Sequence, residues 1–382
     1  MPLVFEWFLA LAAAVGHFSL AVWLYNRLHS VAWPVRTIKV LERAILLIAA
    51  IVLAAGMVRF IWMCGFDLPW AGQVYLLVCW ICAALVLPLW LVPKLRQRTP
   101  LVLQSNDTQV IDVAQQLGAP PIAGRQTQLL ARIPGNQLCQ LHVQRKTLRL
   151  PRLPRELAGL TIAHLSDLHM LGNLTEAFYA EVVDATNALA PDLVCITGDI
   201  LEKTACLPWI PRTLGRLSAR HGKFFVVGNH ELRLPDVAPL RKALTDCGFR
   251  DLGSRCELLS LRGSEILLAG TELPWFGTAP PVNARSESGS APFRVLLSHS
   301  PDELAWARAN DFDLVLAGHV HGGQIRLPGL GALISPSRFG WRYAGGLYHE
   351  PPTVMHVSRG LSGKQAIRLN CPPEIALLVL DA

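Results

Sequence analysis

Asp167-Leu168-His169, Gly198-Asp199, Gly228-Asn229-His230-Glu231, Ser298-His299 and Gly318-His319-Val320-His321 each close a run of apolar, strand-like residues. They offer two carboxylates (Asp167, Asp199), an amide (Asn229) and the imidazoles of His169, His299, His319 and His321, with His230 and Glu231 beside the amide. That is more ligating capacity than one ion can use, and a two-metal hydrolytic centre is the chemistry it suits. In such a centre one carboxylate bridges ions about 3.5–4 Å apart, the spacing used for in-line displacement at phosphorus. Nitrogen and oxygen donors without thiolate favour Mn, Fe, Zn, Co or Ni over Ca or a structural Cys-zinc site. Singly these motifs mean little, because Gly-Asp is common and a lone histidine is more often structural than ligating. Five in order, each at a strand end with glycine beside most of them, mean more. Glycine lets the backbone turn where a Cβ would clash.

The runs that must position them are short and nearly continuous in apolar residues: 160–165, 192–197, 223–227, 265–269, 293–297 and 313–317. A helical stretch, 175–189, follows the first motif. Such runs, alternating with helical segments, predict an α/β fold whose strands are buried on both faces. Ligands in such folds sit beyond the carboxyl ends of the strands, which is where every motif falls. Residues 141–150 alternate like a strand, so the globular domain is expected over 138–382. Residues 94–137 are polar, broken by Pro120-Pro121 and Pro134-Gly135, and read as a linker. The Pro-, Ser- and Gly-rich stretch 279–291 reads as a surface loop.

Composition adds a second part. Of 382 residues 52% are hydrophobic and only 16% charged, too apolar for a lone soluble enzyme. The excess lies in residues 1–93, where 3–24, 44–63 and 74–92 approach the roughly 20 residues that cross a bilayer. Arg27, Arg36, Lys39 and Arg43 follow the first run, Lys94, Arg96 and Arg98 follow the third, and the loop between the second and third carries only Asp67. Basic loops face the cytoplasm, so the N-terminus is expected outside and the motif-bearing part inside. Arg59 opposes this weakly, since its long side chain can snorkel. No Lys or Arg precedes the first run, so a cleaved leader is not expected. Nine scattered cysteines fit a reducing compartment, and Cys79-x-x-Cys82 lies inside an apolar helix as small buried hydrophobes. The net charge of +7 includes a cluster from Arg145 to Arg155 that reads first as a solvated linker, then as a headgroup contact. No basic, aromatic-lined groove accompanies the motifs, so nucleic acid is not the expected partner.

From residue 160 to the C-terminus the five blocks resemble the calcineurin-like metallophosphoesterases. The block Gly318 to Gln324, Pro336-Ser337-Arg338-Phe339-Gly340 and Cys371-Pro372-Pro373-Glu374-Ile375 are similar to the membrane-anchored bacterial branch annotated with phosphodiesterase activity. Leu232, where an aromatic is usual, and Ser358-Arg359-Gly360-Leu361-Ser362 depart from it without removing a ligand. The resemblance implies a sandwich of two β-sheets flanked by helices, here preceded by the transmembrane region. It implies two divalent ions: Asp167, His169 and His321 on the first, Asn229, His299 and His319 on the second, Asp199 bridging. It casts His230 as the catalytic histidine, contacting phosphate and assisting the leaving group. The implied nucleophile is a metal-bridging hydroxide, since coordination brings the pKa of water down to about 7.

A membrane-anchored hydrolase of a phosphodiester or pyrophosphate bond follows as the expected function, on a lipid-linked substrate if the anchor shares its location. The expected place is the bacterial inner membrane. Within the fold, a protein phosphatase or nuclease is the alternative; outside enzymes, a membrane sensor or scaffold with a degenerate domain, although no ligand is missing. Three apolar helices with only Glu6 and His17 inside the first make a poor transport path. Glu231 is read as orienting a neighbour or as a surface acid, His164 as structural, and His349 and His356 as bland.

Overall fold

A computed structural model describes residues 2–63, 69–96, 100–282 and 291–382. The chain divides into two compact units, Met1–Thr99 and Pro100–Ala382.

The first unit is three helices, α1 (Pro2–His29), α2 (Val35–Met63) and α3 (Trp70–Arg96). Apolar segments Val4–His29 and Val35–Val58 are long enough to cross a membrane, while α3 offers a shorter described apolar segment, Trp70–Val86. His17, buried inside it, is paired at both ring nitrogens. His17 Nε2 donates to the Ala49 carbonyl at 2.9 Å, so its Nδ1 accepts from Tyr75 Oη at 2.7 Å, tying the three helices together. Gly16 permits the closest approach, since a Cβ there would collide with the Cys79 carbonyl. The side chains of Arg59, Lys94, Arg96, Arg98 and the 64–68 loop, on which the orientation was argued, lie outside the described residues, as does most of the 279–291 loop.

The second unit stacks two sheets. The first comprises β1 (Leu103–Asp112), β2 (Gln140–Arg149), β3 (Thr161–Leu165), β4 (Leu193–Thr197), β5 (Gly222–Val226), β6 (Phe249–Asp251) and β15 (Glu374–Asp381). Their order is β1-β2-β15-β3-β4-β5-β6, with β3 to β6 parallel. The second takes β7 (Cys256–Leu261), β8 (Ser264–Thr271), β9 (Phe293–Ser298), β10 (Leu314–Ala317), β13 (Gly346–Glu350) and β14 (Thr353–Val357), ordered β13-β14-β10-β9-β8-β7. β11 (Arg326–Leu327) and β12 (Gly331–Ala332) form a separate hairpin.

The central strands β3 and β4 bury both faces, which accounts for their continuous apolar runs. In β3, Ile162 enters the core between the sheets, while Ala163 and Leu165 pack under α6 (Glu176–Ala188) against Phe178, Tyr179 and Val182. β4 repeats this with Leu193 and Cys195 inward and Val194 and Ile196 outward. Across the core, Ile266, Leu268, Val295, Leu297, Leu314 and Leu316 face them. A further helix, Leu304–Ala309, covers the outer face of the second sheet through Leu304 and Ala307, joined by Phe312 beyond its end. Two sheets flanked by helices is the architecture expected from the sequence.

The expected linker differs. Residues 103–112 form β1, paired antiparallel with β2 from Leu103↔Leu148 to Asp112↔Gln140, and helices Val113–Gln116 and Arg125–Ala131 follow. The compact unit therefore starts near Pro100. β1 is an edge strand with most side chains exposed, so it has no buried face to give its sequence a period-two signal.

Candidate metal centre

All five motifs leave the sheets at one edge. Asp167 and His169 follow β3, Asp199 follows β4, Asn229 and His230 follow β5, His299 follows β9, and His319 and His321 follow β10. The turns are tight. Asp167, His169, Asp199, His319 and His321 all hold φ between 46° and 72°, the left-handed region that side chains other than glycine avoid. Such conformations persist where the surroundings over-determine them, and they cluster at functional sites. Glycine makes room beside them. A Cβ on Gly228 would run into the Asp199 carboxylate and the His299 ring, and one on Gly318 would strike Ser166 and Asp167.

Asp199 lies at the middle. Its Oδ1 is 3.3 Å from His299 Nε2, and its Oδ2 is 3.6 Å from His169 Nε2. On one side Asp167, His169, Asp199 and His321 bring ligand atoms within 4.8 Å of one another; on the other Asp199, His299 and His319 do the same. Asn229 Oδ1 joins the second group 3.1 Å from His299 Nε2, and His321 Nε2 joins the first 3.5 Å from Asp167 Oδ1. His230 Nε2 stands 3.9 Å from Asp199 Oδ2. The structure thus gathers all eight residues singled out in the sequence at one edge.

The donor set suits cations. His299 Nδ1 donates to the Thr197 carbonyl at 2.7 Å, His321 Nδ1 to the Ser362 carbonyl at 3.1 Å, and His169 Nδ1 to Glu202 Oε1 at 2.6 Å. In each ring Nδ1 is thereby occupied and Nε2 is turned inward towards the carboxylates, as metal-ligating histidines are held. Asp199 Oδ2 is buried with no hydrogen-bond partner among the described residues. A buried carboxylate oxygen without a partner is costly unless a cation meets it. Burial disfavours a charged His299, yet the Asp199 charge and hydrogen bond overcome it and raise the ring to about 9. A field that binds a proton this firmly favours any cation placed there.

Two carboxylates hold the frame. Glu231 is buried, and accepts from the backbone amides of Asp199 at 3.2 Å, Ile200 at 2.6 Å, Leu201 at 3.0 Å and Gly228 at 2.7 Å. It orients the loop bearing Asp199 rather than lying on the surface. Burial, then the Asp199 charge, push Glu231 up to about 7. Glu202, which the sequence reading passed over, accepts through one oxygen from His169 Nδ1 at 2.6 Å and His230 Nδ1 at 2.5 Å. Its other oxygen takes Arg233 Nη1 at 2.5 Å. Burial alone would raise Glu202, but the two imidazole N–H bonds more than offset it and hold the carboxyl well below the usual range. Trp275, in the loop after β8, was also missed: its ring centroid lies 4.8 Å from His319 and 5.4 Å from His299.

Behind the edge lies a buried polar chain. Lys146 Nζ bonds Glu374 Oε1 at 2.5 Å and His356 Nε2 at 2.8 Å. An ammonium can only donate, so His356 carries its proton on Nδ1 and donates to His164 Nδ1 at 2.8 Å. His164 in turn donates from Nε2 to Thr197 Oγ1 at 2.8 Å, in the same residue whose carbonyl holds His299. Both rings are neutral in this arrangement, and burial pushes His356 down to about 4 and His164 well below its usual range. His164 is structural, as expected, and His356, set aside from the sequence, is its partner.

The calcineurin-like phosphoesterase family model matches residues 160–323, the span that holds every motif described. The metallophosphoesterase YkuE of Bacillus subtilis, itself uncharacterized, is 30% identical over 245 residues, covering 62% of this chain and 84% of that protein. Phosphodiesterase YaeI of Escherichia coli is 27% identical, covering 58% and 83%. UDP-2,3-diacylglucosamine pyrophosphatase LpxG of Chlamydia muridarum is 27% identical, covering 62% and 88%. The chain belongs to the calcineurin-like metallophosphoesterases. Within that family it is a metal-dependent hydrolase of phosphoric esters.

Proposed function

We propose that this chain is a membrane-anchored hydrolase of phosphodiester or pyrophosphate bonds that works with two divalent ions. The observation that carries the reading is Asp199, one carboxylate shared by two ligand clusters. In this reading Asp167, His169 and His321 complete one ion's shell and Asn229, His299 and His319 the other's. When bound, the ions supply hydroxide at neutral pH and positive charge against the phosphoryl oxygens. His230 does not complete a shell. Its Nδ1 is committed to Glu202, which turns Nε2 towards the place where a phosphoryl or leaving-group oxygen would lie. Arg233 Nη2 donates to that Nε2 at 3.3 Å; burial pushes His230 down to about 4, so the ring is neutral and Arg233 is the cationic donor beside it.

We read the anchor as the three helices of the first unit, of which α1 and α2 hold apolar segments long enough to cross a bilayer. Together with the basic loops around them, they support an inner-membrane protein with its hydrolytic unit on the cytoplasmic side. LpxG, named for cleaving a pyrophosphate that bears a diacylated sugar, supports a lipid-linked substrate of related chemistry.

The test is hydrolysis by the full chain in detergent, with Mn²⁺, Zn²⁺ or chelator, on monoesters, diesters, nucleotide pyrophosphates and lipid-linked pyrophosphates. His230→Ala is expected to keep its metal and lose most turnover, whereas Asp199→Ala loses metal as well. A His230→Ala enzyme with full activity would remove the role given to it. A wild-type chain without metal-dependent turnover on any of these would favour a scaffold. A fragment for such work should start near Pro100 rather than Leu138, so that β1 is retained.

A further inference from the structure

The 325–334 hairpin follows directly on the His319-x-His321 pair. It carries five large apolar side chains, Ile325, Leu327, Leu330, Leu333 and Ile334, each between 39% and 47% exposed. Its root is fixed: Arg326 N donates to the Leu369 carbonyl at 2.9 Å, Asn370 Nδ2 returns to the Arg326 carbonyl at 2.9 Å, and Ala332 is buried. Two short strands make it, Arg326↔Ala332 and Leu327↔Gly331, with no third strand added to their sheet among the described residues. A clustered apolar surface on a rooted hairpin marks an interaction site rather than a packing accident.

Charge says what that site meets. Within 325–334 Arg326 is the one charged residue, while Arg342, further along the chain, is paired with Glu350. A cation without an acid among exposed aliphatic side chains suits an anionic headgroup layer over hydrocarbon. A protein groove would more commonly present acids as well. Six residues, 97–102, separate the last apolar helix from β1, so a bilayer that held the helices would be presented to this unit at high effective concentration.

We propose that the 325–334 hairpin docks on the surface of the bilayer in which the chain's own helices sit, through Ile325, Leu327, Leu330, Leu333 and Ile334. This rests on the membrane reading above. Docking at this hairpin places the His319 and His321 end of the metal centre at the headgroup layer, where the phosphate of a lipid-linked substrate lies.

The experiment uses the full chain with p-benzoylphenylalanine at position 330, reconstituted in vesicles of phosphatidylglycerol and phosphatidylethanolamine. A second sample carries the same residue at exposed Lys242, on the helix Ala238–Asp246 that borders β6 of the other sheet. After flotation and irradiation, lipid adducts are counted by mass spectrometry. The expected result is an adduct yield at position 330 on the order of tenfold above position 242, with L333E/I334E lowering it, since buried apolar area drives such contact. A chain that floats but gives equal yields at both positions, or an adduct at 330 to a second copy of the chain, would overturn the docking alone. A chain that does not float would overturn both the docking and the membrane reading.

Discussion

Glu202→Gln is the substitution that most directly probes how the centre is held. The carboxylate serves three donors at once: His169 Nδ1 and His230 Nδ1 on one oxygen, Arg233 on the other. Glutamine keeps the volume but offers one acceptor and two donors. With its oxygen towards the imidazoles, its NH₂ meets Arg233; flipped, it meets both imidazole N–H groups. In the better orientation two charge-assisted bonds become neutral ones, and such bonds are roughly twice as strong as neutral ones. At about 1 kcal/mol lost for each, the cost is about 2 kcal/mol, or roughly 30-fold. Because one imidazole belongs to the proposed first ion and the other to the substrate side, the loss should appear in two places. The metal concentration for half-activation rises roughly 10- to 100-fold, the usual effect of removing such a partner. At saturating metal kcat remains depressed, since His230 is no longer aimed. The assay is steady-state hydrolysis of a nitrophenyl phosphodiester by the full chain across a Mn²⁺ titration. Activity within about threefold of wild type at both low and saturating metal would refute the reasoning, showing that packing alone orients the two rings.

Two further outcomes follow from the charges. His299 is protonated below about 9 in the metal-free protein, and a ligand must give up that proton. Metal binding at pH 7 should therefore release at least about one proton, with affinity falling roughly tenfold per pH unit as pH drops; calorimetry in buffers of different ionisation enthalpy reads the proton directly, and none released would contradict the assignment. Glu374→Gln should destabilise the unit by about 3–5 kcal/mol, because it strands a buried Lys146 charge. A melting temperature lowered by about 10 °C is the expected reading, while a joint Lys146→Met/Glu374→Leu change should recover much of it, and equal losses in both variants would mean the pair does not interact as described.

Several parts of this molecule could be read in the order of its residues. Strands buried on both faces are apolar throughout, so β3, β4, β5, β9 and β10 stood out, and the polar motif after each was already at a strand end. Chain order alone therefore brought Asp167, His169, Asp199, Asn229, His230, His299, His319 and His321 to one edge. Apolar length did the same for the helices of the first unit, since crossing hydrocarbon needs a set number of residues whatever they pack against.

What stayed hidden depends on distance in sequence or on missing periodicity. β1 is a polar edge strand, known only by its pairing with β2. Lys146 and Glu374 are 228 residues apart, and His164 and His356 are 192 apart, so nothing local in the sequence joins them. Glu202 sits in a turn with no pattern of its own, and the structure alone shows it between His169 and His230. The residue types set which chemistry was available. Only the tertiary structure decided which imidazole nitrogens face inward, because that depends on what each ring's other nitrogen meets: Thr197, Ser362 or Glu202.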